Sequence, residues 1–337
     1  MSRRADATLF GFDFQVNAAI ILFLENIQNI KYLRLEGNED IDLQLVDDSF
    51  IFAQAKAVHK PREDFRNVKA NLRKALTSLS EAADNHKVKE LIFITNTPKP
   101  FNEKSEETII SNYTSFQALF DNLTNTEKEI IRRELRSVKR NLDLSIFKVQ
   151  IVPFDTDLPK ERYKFIQKYI DDFLVDINLY GEIAGNQLMK LWQTNVFGSG
   201  TVHNKEISLN KKDIIWPMIV KVTECDNIPN LFEDDWDYSL SEEIVKKYKN
   251  IIDDSNENFE FTTKVIHDFY GFNSPIRKSK ERYKEFVNLK WKDYLDDFSS
   301  SLLQNDLILQ EYIIKIAIWK IIENRGKIKR IKEGVNL

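Results

Sequence analysis

The sequence predicts an α/β protein in which a mixed sheet flanked by helices precedes a mostly helical second domain. Strand-like runs alternate with helical periodicity through roughly the first half of the chain, as in an α/β sheet domain. Strand-like alternation is then lost from about residue 181. Only 9 Gly and 8 Pro occur in 337 residues, which favours long regular elements. We therefore predict two domains, residues 1–180 and residues 181–337.

The elements of the first half follow from hydrophobic periodicity and turn residues. In order, they are a helix at 12–30, strands at 32–36, 40–46 and 50–58, a helix at 62–85, a strand at 91–95, a helix at 106–140, a strand at 145–152 and a helix at 159–177. The run at 91–95 is wholly apolar except for its last residue, as in a central strand. From residue 181 onward only helical runs are predicted, followed by a basic tail at 325–332.

Composition excludes several classes of protein. The single cysteine, Cys225, rules out an intramolecular disulfide and a cysteine-rich zinc site. No GxxxxGK[ST] phosphate-binding loop is present, so the chain is not expected to hydrolyse ATP. We expect neither a secretory signal nor a membrane span, and we predict a cytoplasmic protein. The net charge of −4 still allows nucleic-acid binding through a local basic surface.

Polar residues alternate with apolar ones in the second and third predicted strands. A three-residue loop at 47–49 would pair Val46 with Phe50, placing Asp42 opposite Gln54 and Asp40 opposite Lys56. A two-residue loop would instead place Asp42 opposite Ala53. Carboxylate and amide oxygens suit Mg²⁺, and a lysine beside them can stabilise charge on a phosphodiester. The alternative interpretation is that the acidic run at 36–42 is a solvated strand edge.

These residues resemble the motif of the PD-(D/E)xK nuclease superfamily. The GFDFQ run at 11–15, EGNEDID at 36–42, QAK at 54–56 and FITN at 93–96 are similar to a bacterial anti-phage subgroup within it. That subgroup supplies the nuclease domain of cyclic-oligonucleotide-activated effectors and of Lamassu-type nucleases. The resemblance covers roughly residues 8–155 and implies a restriction-endonuclease-like core.

The resemblance also implies roles for particular residues. Asp42 would be the principal metal ligand, Gln54 the second ligand and Lys56 the catalytic lysine. Glu36 would be an additional acidic metal ligand, with Glu25 as the alternative. Two further site residues are Asp40, which competes with Asp42, and Gln15, which would brace or complete the site. The metal would be Mg²⁺ or Mn²⁺, and Gln54 departs from the commoner carboxylate.

The implied function is a metal-dependent DNA endonuclease of an anti-phage system, with low sequence specificity. We predict phosphate contacts from a basic face near the site, formed by Lys60, Arg62, Arg66, Lys69 and Arg73. Besides double-stranded DNA, the expected partners are an SMC-like ATPase and a small third subunit, and activation by homo-oligomerisation is a further expectation. The alternative function is a non-catalytic DNA-binding or adaptor subunit on a decayed nuclease fold.

Overall fold

A mixed seven-stranded sheet organises the computed structural model of the protein. The structure describes residues 3–61, 67–101, 115–154, 159–201, 208–224, 244, 246–250, 252, 258–276, 278–298 and 306–337. The strands are β1 (Ile30–Leu35), β2 (Ile41–Leu45), β3 (Phe50–Lys56), β4 (Val88–Thr95), β5 (Phe116–Leu119), β6 (Phe147–Ile151) and β7 (Leu209–Asn210). Their order is β5–β6–β4–β3–β2–β1–β7, with β3, β4 and β6 mutually parallel and the other pairs antiparallel. The predicted α/β class with a mixed sheet is confirmed.

Helices flank the sheet and continue beyond it. They are α1 (Arg3–Glu25), α2 (Val68–Ala83), α3 (Asn125–Val138), α4 (Pro159–Arg162), α5 (Lys164–Asp176), α6 (Gly185–Gly200), α7 (Lys211–Thr223), α8 (Phe259–Gly271), α9 (Ser279–Lys290) and α10 (Leu307–Val335), with 3-10 turns at Phe120–Asn122, Leu144–Ile146 and Trp291–Asp297. The stretch Asp6–Glu25 of α1 is long and apolar enough to cross a membrane, but 67% of it is buried inside the protein.

The chain divides into two compact units. The first comprises residues 1–176, 184–214 and 335–337, and the second comprises residues 177–183 and 215–334. The predicted domain boundary at residue 180 falls inside the short segment 177–183. All seven strands belong to the first unit, whereas the regular elements described in the second unit are helical.

Apolar stripes position the elements around the site. On α2 the predicted stripe is buried from Val68 through Leu72 to Leu79, and it packs on the face of the sheet that carries Phe52 and Phe93. Strands β3 and β4 are buried through their centres because helices cover them, as is usual for parallel neighbours. The end of β3 is thereby fixed against rigid elements.

The predicted pairing of β2 with β3 is wrong by two residues. Asp42 lies opposite Phe52, not Gln54, and Ile41 lies opposite Ala53. The loop has three residues as predicted, but it occupies 46–48, because the amide of Leu45 donates to the carbonyl of Ser49. Asp48 adopts a left-handed φ of 59°, which a three-residue hairpin loop requires at its last position. The shift is even, so the same side chains keep the same face.

Two further element predictions need correction. Within the predicted helix at 106–140, residues 116–119 form the edge strand β5, and only 125–138 are helical; residues 102–114 lie outside the described ranges. The half predicted to lack strands contributes β7, which pairs with β1 at the other edge. Both strands are short edge strands, which leave little periodicity in a sequence. The basic tail at 325–332 is not a free end but part of α10.

Candidate functional site

Asp40 is the centre of a polar cluster at the end of β3. Its Oδ2 atom accepts hydrogen bonds from the side-chain amide of Gln54, from the backbone N–H of Ala55 at 2.9 Å and from the Lys56 ammonium at 3.2 Å. The observed register explains this grouping, because Asp40 lies one position beyond the Ile41–Ala53 pair and therefore faces Gln54. The side chains of Asp40 and Lys56 are 18% and 25% exposed, so the cluster is accessible to a ligand.

Asp42 has a different environment. Its two carboxylate oxygens accept the backbone N–H groups of Asn38 at 2.7 Å and of Glu39 at 2.9 Å. Burial raises the pKa of Asp42, and these two hydrogen bonds oppose the rise. Gly37 approaches the carboxylate so closely that a Cβ atom there would overlap Oδ2. Asp42 therefore holds the turn before β2, and the structure groups Asp40, instead of Asp42, with Gln54 and Lys56.

Glu39 adds a second carboxyl group, which is not among the site residues predicted from the sequence. Its side chain is buried, with the residue 6% exposed. Burial, together with the charges of Asp40 and Asp42, raises its pKa to about 8, and Lys56 offsets part of that rise. A strict alternation of faces would have turned Glu39 away from Asp40. Its charge interacts with Asp40, Asp42 and Lys56 because residues 36–40 form a turn and not an extended strand.

Glu36 connects this turn to α1. The Nε2 atom of Gln15 donates to Oε1 of Glu36 at 2.9 Å, so two residues selected from the sequence are brought together. Glu36 has a left-handed φ of 52°, and its amide donates to the carbonyl of Asp40 at 3.1 Å. Gln15 thus braces the turn that carries the acidic residues.

Glu25, the alternative acidic residue, belongs to another cluster. It accepts hydrogen bonds from Gln150 at 2.8 Å and Tyr169 at 3.2 Å, and Lys148 lies 3.9 Å away. Desolvation raises its pKa despite these partners. Glu25 is ten residues after Gln15 on the same helix, which separates them by roughly 15 Å along the axis. The structure therefore does not bring Glu25 to the Asp40 cluster.

The backbone beyond Lys56 is fixed by two buried polar residues of the β4 end. Thr95 Oγ1 donates to the carbonyl of Lys56 at 2.6 Å. Asn96 accepts from the amide of Val58 at 2.9 Å and donates to the carbonyls of Val58 at 2.7 Å and Phe154 at 2.8 Å. Neither side chain was selected as a site residue from the sequence. Together they set the direction in which β3 ends, and hence the position of the lysine.

The predicted basic face is only partly available. Lys69 and Arg73 of α2 both form ion pairs with Glu134 of α3, whose side chain is 1% exposed, and Arg133 contacts the same carboxylate. Lys60 is exposed, whereas Arg62 and Arg66 lie outside the described residues. Two of the predicted phosphate contacts therefore also have a structural role in joining α2 to α3.

A hard divalent cation could be held at this cluster only by a mixture of carboxylate and amide oxygens. Within the described ranges, no group of three or more His, Cys, Asp or Glu side chains is arranged to hold a metal ion. Asp40 and Glu39 nevertheless carry carboxylate oxygens. The Gln54 side chain donates its amide nitrogen to Asp40, so its amide group would have to rotate to offer its oxygen to a cation. Mg²⁺ accepts few protein ligands because it retains several waters. Burial, and after it the charges of Asp40 and Asp42, raises the pKa of Glu39 to about 8, so this carboxyl would have to release a proton to bind a cation.

Comparison with protein-family models, curated proteins and solved structures gives no significant match. The functional interpretation therefore depends on the residues and their geometry.

Proposed function

We propose that the chain is a metal-dependent endodeoxyribonuclease with a restriction-endonuclease-like core, whose centre is Asp40, Gln54 and Lys56. The observation that supports it most directly is the convergence of Gln54 and Lys56 on one carboxylate oxygen at the end of β3. An acidic residue, an amide and a lysine on neighbouring strands match the glutamine variant of the nuclease motif. In this assignment Asp40 takes the role that the motif first gave to Asp42.

The chain's own residues would divide the chemistry among them. Asp40 and Gln54, with Glu39 beside them, would hold Mg²⁺ or Mn²⁺, and Glu36 would support the turn that carries them. Such a cation, when bound, polarises a phosphodiester and lowers the pKa of a bound water. The Lys56 ammonium would donate to the phosphate oxygen on which charge develops. For this it would exchange part of its contact with Asp40 for the phosphate.

The experiment is cleavage of supercoiled plasmid by the full chain with Mg²⁺ or Mn²⁺, with EDTA as the metal-free control. Lys56→Ala should reduce the rate on the order of 10²–10³-fold. Lys87→Ala is the matched control, because Lys87 is an exposed lysine that contacts Asp47 of the β2–β3 loop. Cleavage that persists in EDTA or in Lys56→Ala would contradict the proposal.

The biological setting is a further part of the proposal. The resemblance to anti-phage nucleases favours a cytoplasmic effector that cleaves double-stranded DNA with low sequence specificity. An SMC-like ATPase with a small third subunit, or oligomerisation, would restrain it, because an unregulated DNA nuclease would damage its host. Copurification with an ATPase encoded nearby, and cleavage that requires it, would support this. A chain that, alone and monomeric, cleaves as fast as it does with the ATPase present would contradict this restraint.

A non-catalytic DNA-binding or adaptor subunit is the second candidate. It is favoured by the mutual pairing of Asp40, Gln54 and Lys56, which leaves the polar groups satisfied without a cation. Calorimetric titration with Mn²⁺ separates the two candidates. An adaptor would bind DNA without metal and would show no Mn²⁺ binding that depends on Asp40.

A further inference from the structure

A groove lies between α1 and α6 in the first unit. Each helix contributes four side chains at the spacing i, i+3, i+4 and i+7, from Leu9 to Val16 on α1 and from Lys190 to Phe197 on α6, and Tyr163 lines one side. The groove encloses about 590 Å³, within the range of pockets that hold small organic ligands. No residue of the Asp40 cluster lines it, so it is separate from the proposed metal centre.

The walls of the groove are apolar and partly exposed to solvent. Phe12 and Phe197 meet edge to face across it, with ring centroids 5.3 Å apart. Leu9 is 65% exposed and Phe197 is 49% exposed, although apolar residues further along α1 are buried. A ligand with an aromatic or apolar body would remove these surfaces from water, which is the main source of affinity in such pockets.

The carboxylate of Asp13, the acidic residue of the groove, is already paired with neighbouring side chains. Asp13 accepts hydrogen bonds from the Tyr163 hydroxyl at 2.9 Å and from Arg162 at 2.9 Å, and Asn17 donates to it at 3.0 Å. Gln193 of α6 in turn donates to Asn17 at 2.8 Å. This network ties α1 to α6 and gives the groove a fixed polar side. Asp13 is therefore unsuited to recognising a cation.

Lys190 supplies the remaining charge. Its side chain is exposed at the groove, and no ion pair or hydrogen bond engages its ammonium within the part of the chain that the structure describes. The neighbouring Thr194 hydroxyl donates to the Lys190 carbonyl and can accept a further hydrogen bond. An anionic group beside the apolar walls would complement this lysine.

We infer that the groove between α1 and α6 binds a small amphipathic organic anion, with its apolar or aromatic body against the wall that Phe12 and Phe197 form together and its carboxylate, phosphate or sulfonate at Lys190. The inference is independent of the nuclease activity, because no residue that it uses belongs to the Asp40 cluster. Direct binding can therefore succeed or fail whatever the outcome of the cleavage assay.

The test is a fluorescence titration of the full chain with anilinonaphthalene sulfonate, an aromatic anion of suitable size. Phenylnaphthylamine, which lacks the sulfonate, is the uncharged analogue. Lys190→Glu should weaken binding of the sulfonate about tenfold, as expected for loss of a charge-assisted contact, and should leave the uncharged analogue unaffected. Phe197→Ser should weaken both probes, because it removes an apolar wall.

Lys89→Glu is the matched control, since Lys89 is an exposed lysine of β4 that does not line the groove. Circular dichroism melting verifies that each variant remains folded. Saturable binding at one site, lost in Lys190→Glu and retained in Lys89→Glu, supports the inference. Absence of saturable binding, or equal affinity in the two charge variants, overturns it. Displacement of the probe only by an amphipathic peptide and not by small anions also overturns it, because the groove would then be a protein-docking surface.

Discussion

The Nζ atom of Lys56 lies 3.2 Å from the Oδ2 atom of Asp40, which precedes it by 16 residues along the chain. The two residues meet because the hairpin of β2 and β3 folds back with a three-residue loop. An ammonium and a carboxylate at this distance, both partly exposed, stabilise a protein only modestly. In the proposed nuclease, this pair would place opposite charges beside the metal ion and the phosphate.

The first prediction concerns Asp40. Asp40→Asn should abolish metal-dependent cleavage and weaken Mn²⁺ binding at least about tenfold, because the main anionic ligand is lost. Calorimetric titration measures the affinity, and plasmid cleavage measures the rate. Asp48→Asn is the control, since Asp48 is an exposed acid of the same hairpin whose left-handed backbone suits asparagine. Unchanged Mn²⁺ affinity in Asp40→Asn would remove Asp40 from the centre.

The second prediction separates Asp42 from Asp40 by stability. Asp42→Ala leaves the amide of Asn38, in a partly buried hydrogen bond, and the amide of Glu39, in a buried one, without their acceptor. An unsatisfied buried group costs about 1–3 kcal/mol. We expect a loss of at least about 2 kcal/mol in the free energy of unfolding, measured in urea. Gln44→Ala, on the same strand, should cost less than about 0.5 kcal/mol because its contact to Asp48 is exposed. Equal losses of stability in the two variants would show that Asp42 does not hold the turn before β2.

Glu39 makes stability depend on pH. Its folded pKa of about 8 exceeds the ordinary value of 4.5, so between these values the folded state binds more proton than the unfolded state. The free energy of unfolding should therefore fall as pH rises through this window. Since one pKa unit corresponds to ~1.4 kcal/mol, the fall should be on the order of a few kcal/mol.

Glu39→Gln removes the titrating group while keeping the shape of the side chain. Relative to this variant, the wild type should lose stability from about pH 5 to about pH 8. Urea unfolding across that range, without divalent metal, is the measurement. Glu36→Gln is the matched control, because Glu36 is exposed. Parallel curves for the wild type and Glu39→Gln would show that Glu39 titrates normally.

Thr95 should affect turnover through Lys56. Thr95→Val removes the hydrogen bond to the Lys56 carbonyl, and we expect a loss of ~1 kcal/mol in stability together with a several-fold lower kcat at nearly unchanged KM. Thr77→Val, which loses a similar bond to the carbonyl of Arg73, is the control. It should lower stability without lowering kcat. If kcat fell in both variants in proportion to their loss of stability, the role of Thr95 would be purely structural.

The last prediction concerns the basic face of α2. Glu134→Gln should release Lys69 and Arg73 from a buried carboxylate and raise the affinity for DNA at low salt. The slope of log affinity against log salt concentration should become steeper by about 0.9 for each additional phosphate contact. Fluorescence anisotropy at several salt concentrations measures both effects. Glu129→Gln is the control, because its ion pair with Arg132 is exposed. An unchanged salt slope would mean that these cations do not contact phosphate.

The order of helices and strands around the site could be predicted because these elements have strong hydrophobic patterns in the sequence. The stripe from Val68 to Leu79 repeats over about three turns of helix. The run at 91–95 is nearly all apolar. The face shared by Gln54 and Lys56 was also predictable, since alternation survives any even change of register. The short strands β5 and β7 were not, because four and two residues carry almost no periodicity.

The sequence could not decide whether Asp40 or Asp42 groups with Gln54 and Lys56. It depends on the turn at 36–39, where Gly37 allows the close approach of Asp42 and Glu36 adopts a left-handed backbone. These are properties of a tertiary arrangement that leave no periodic signal. Glu39 was missed for the same reason, because its burial follows from the turn and not from an alternating pattern.

The hairpin loop at 46–48 has a consequence for protein engineering. Because it is exposed and carries two aspartates, it would be an attractive position for inserting an epitope tag or a fluorophore-labelling sequence. One added or deleted residue that shifted the register of β3 by one would turn Gln54 and Lys56 to the opposite side of the sheet. Reporter sequences should therefore be placed elsewhere, and in homologues we expect this loop to vary in residue type far more than in length.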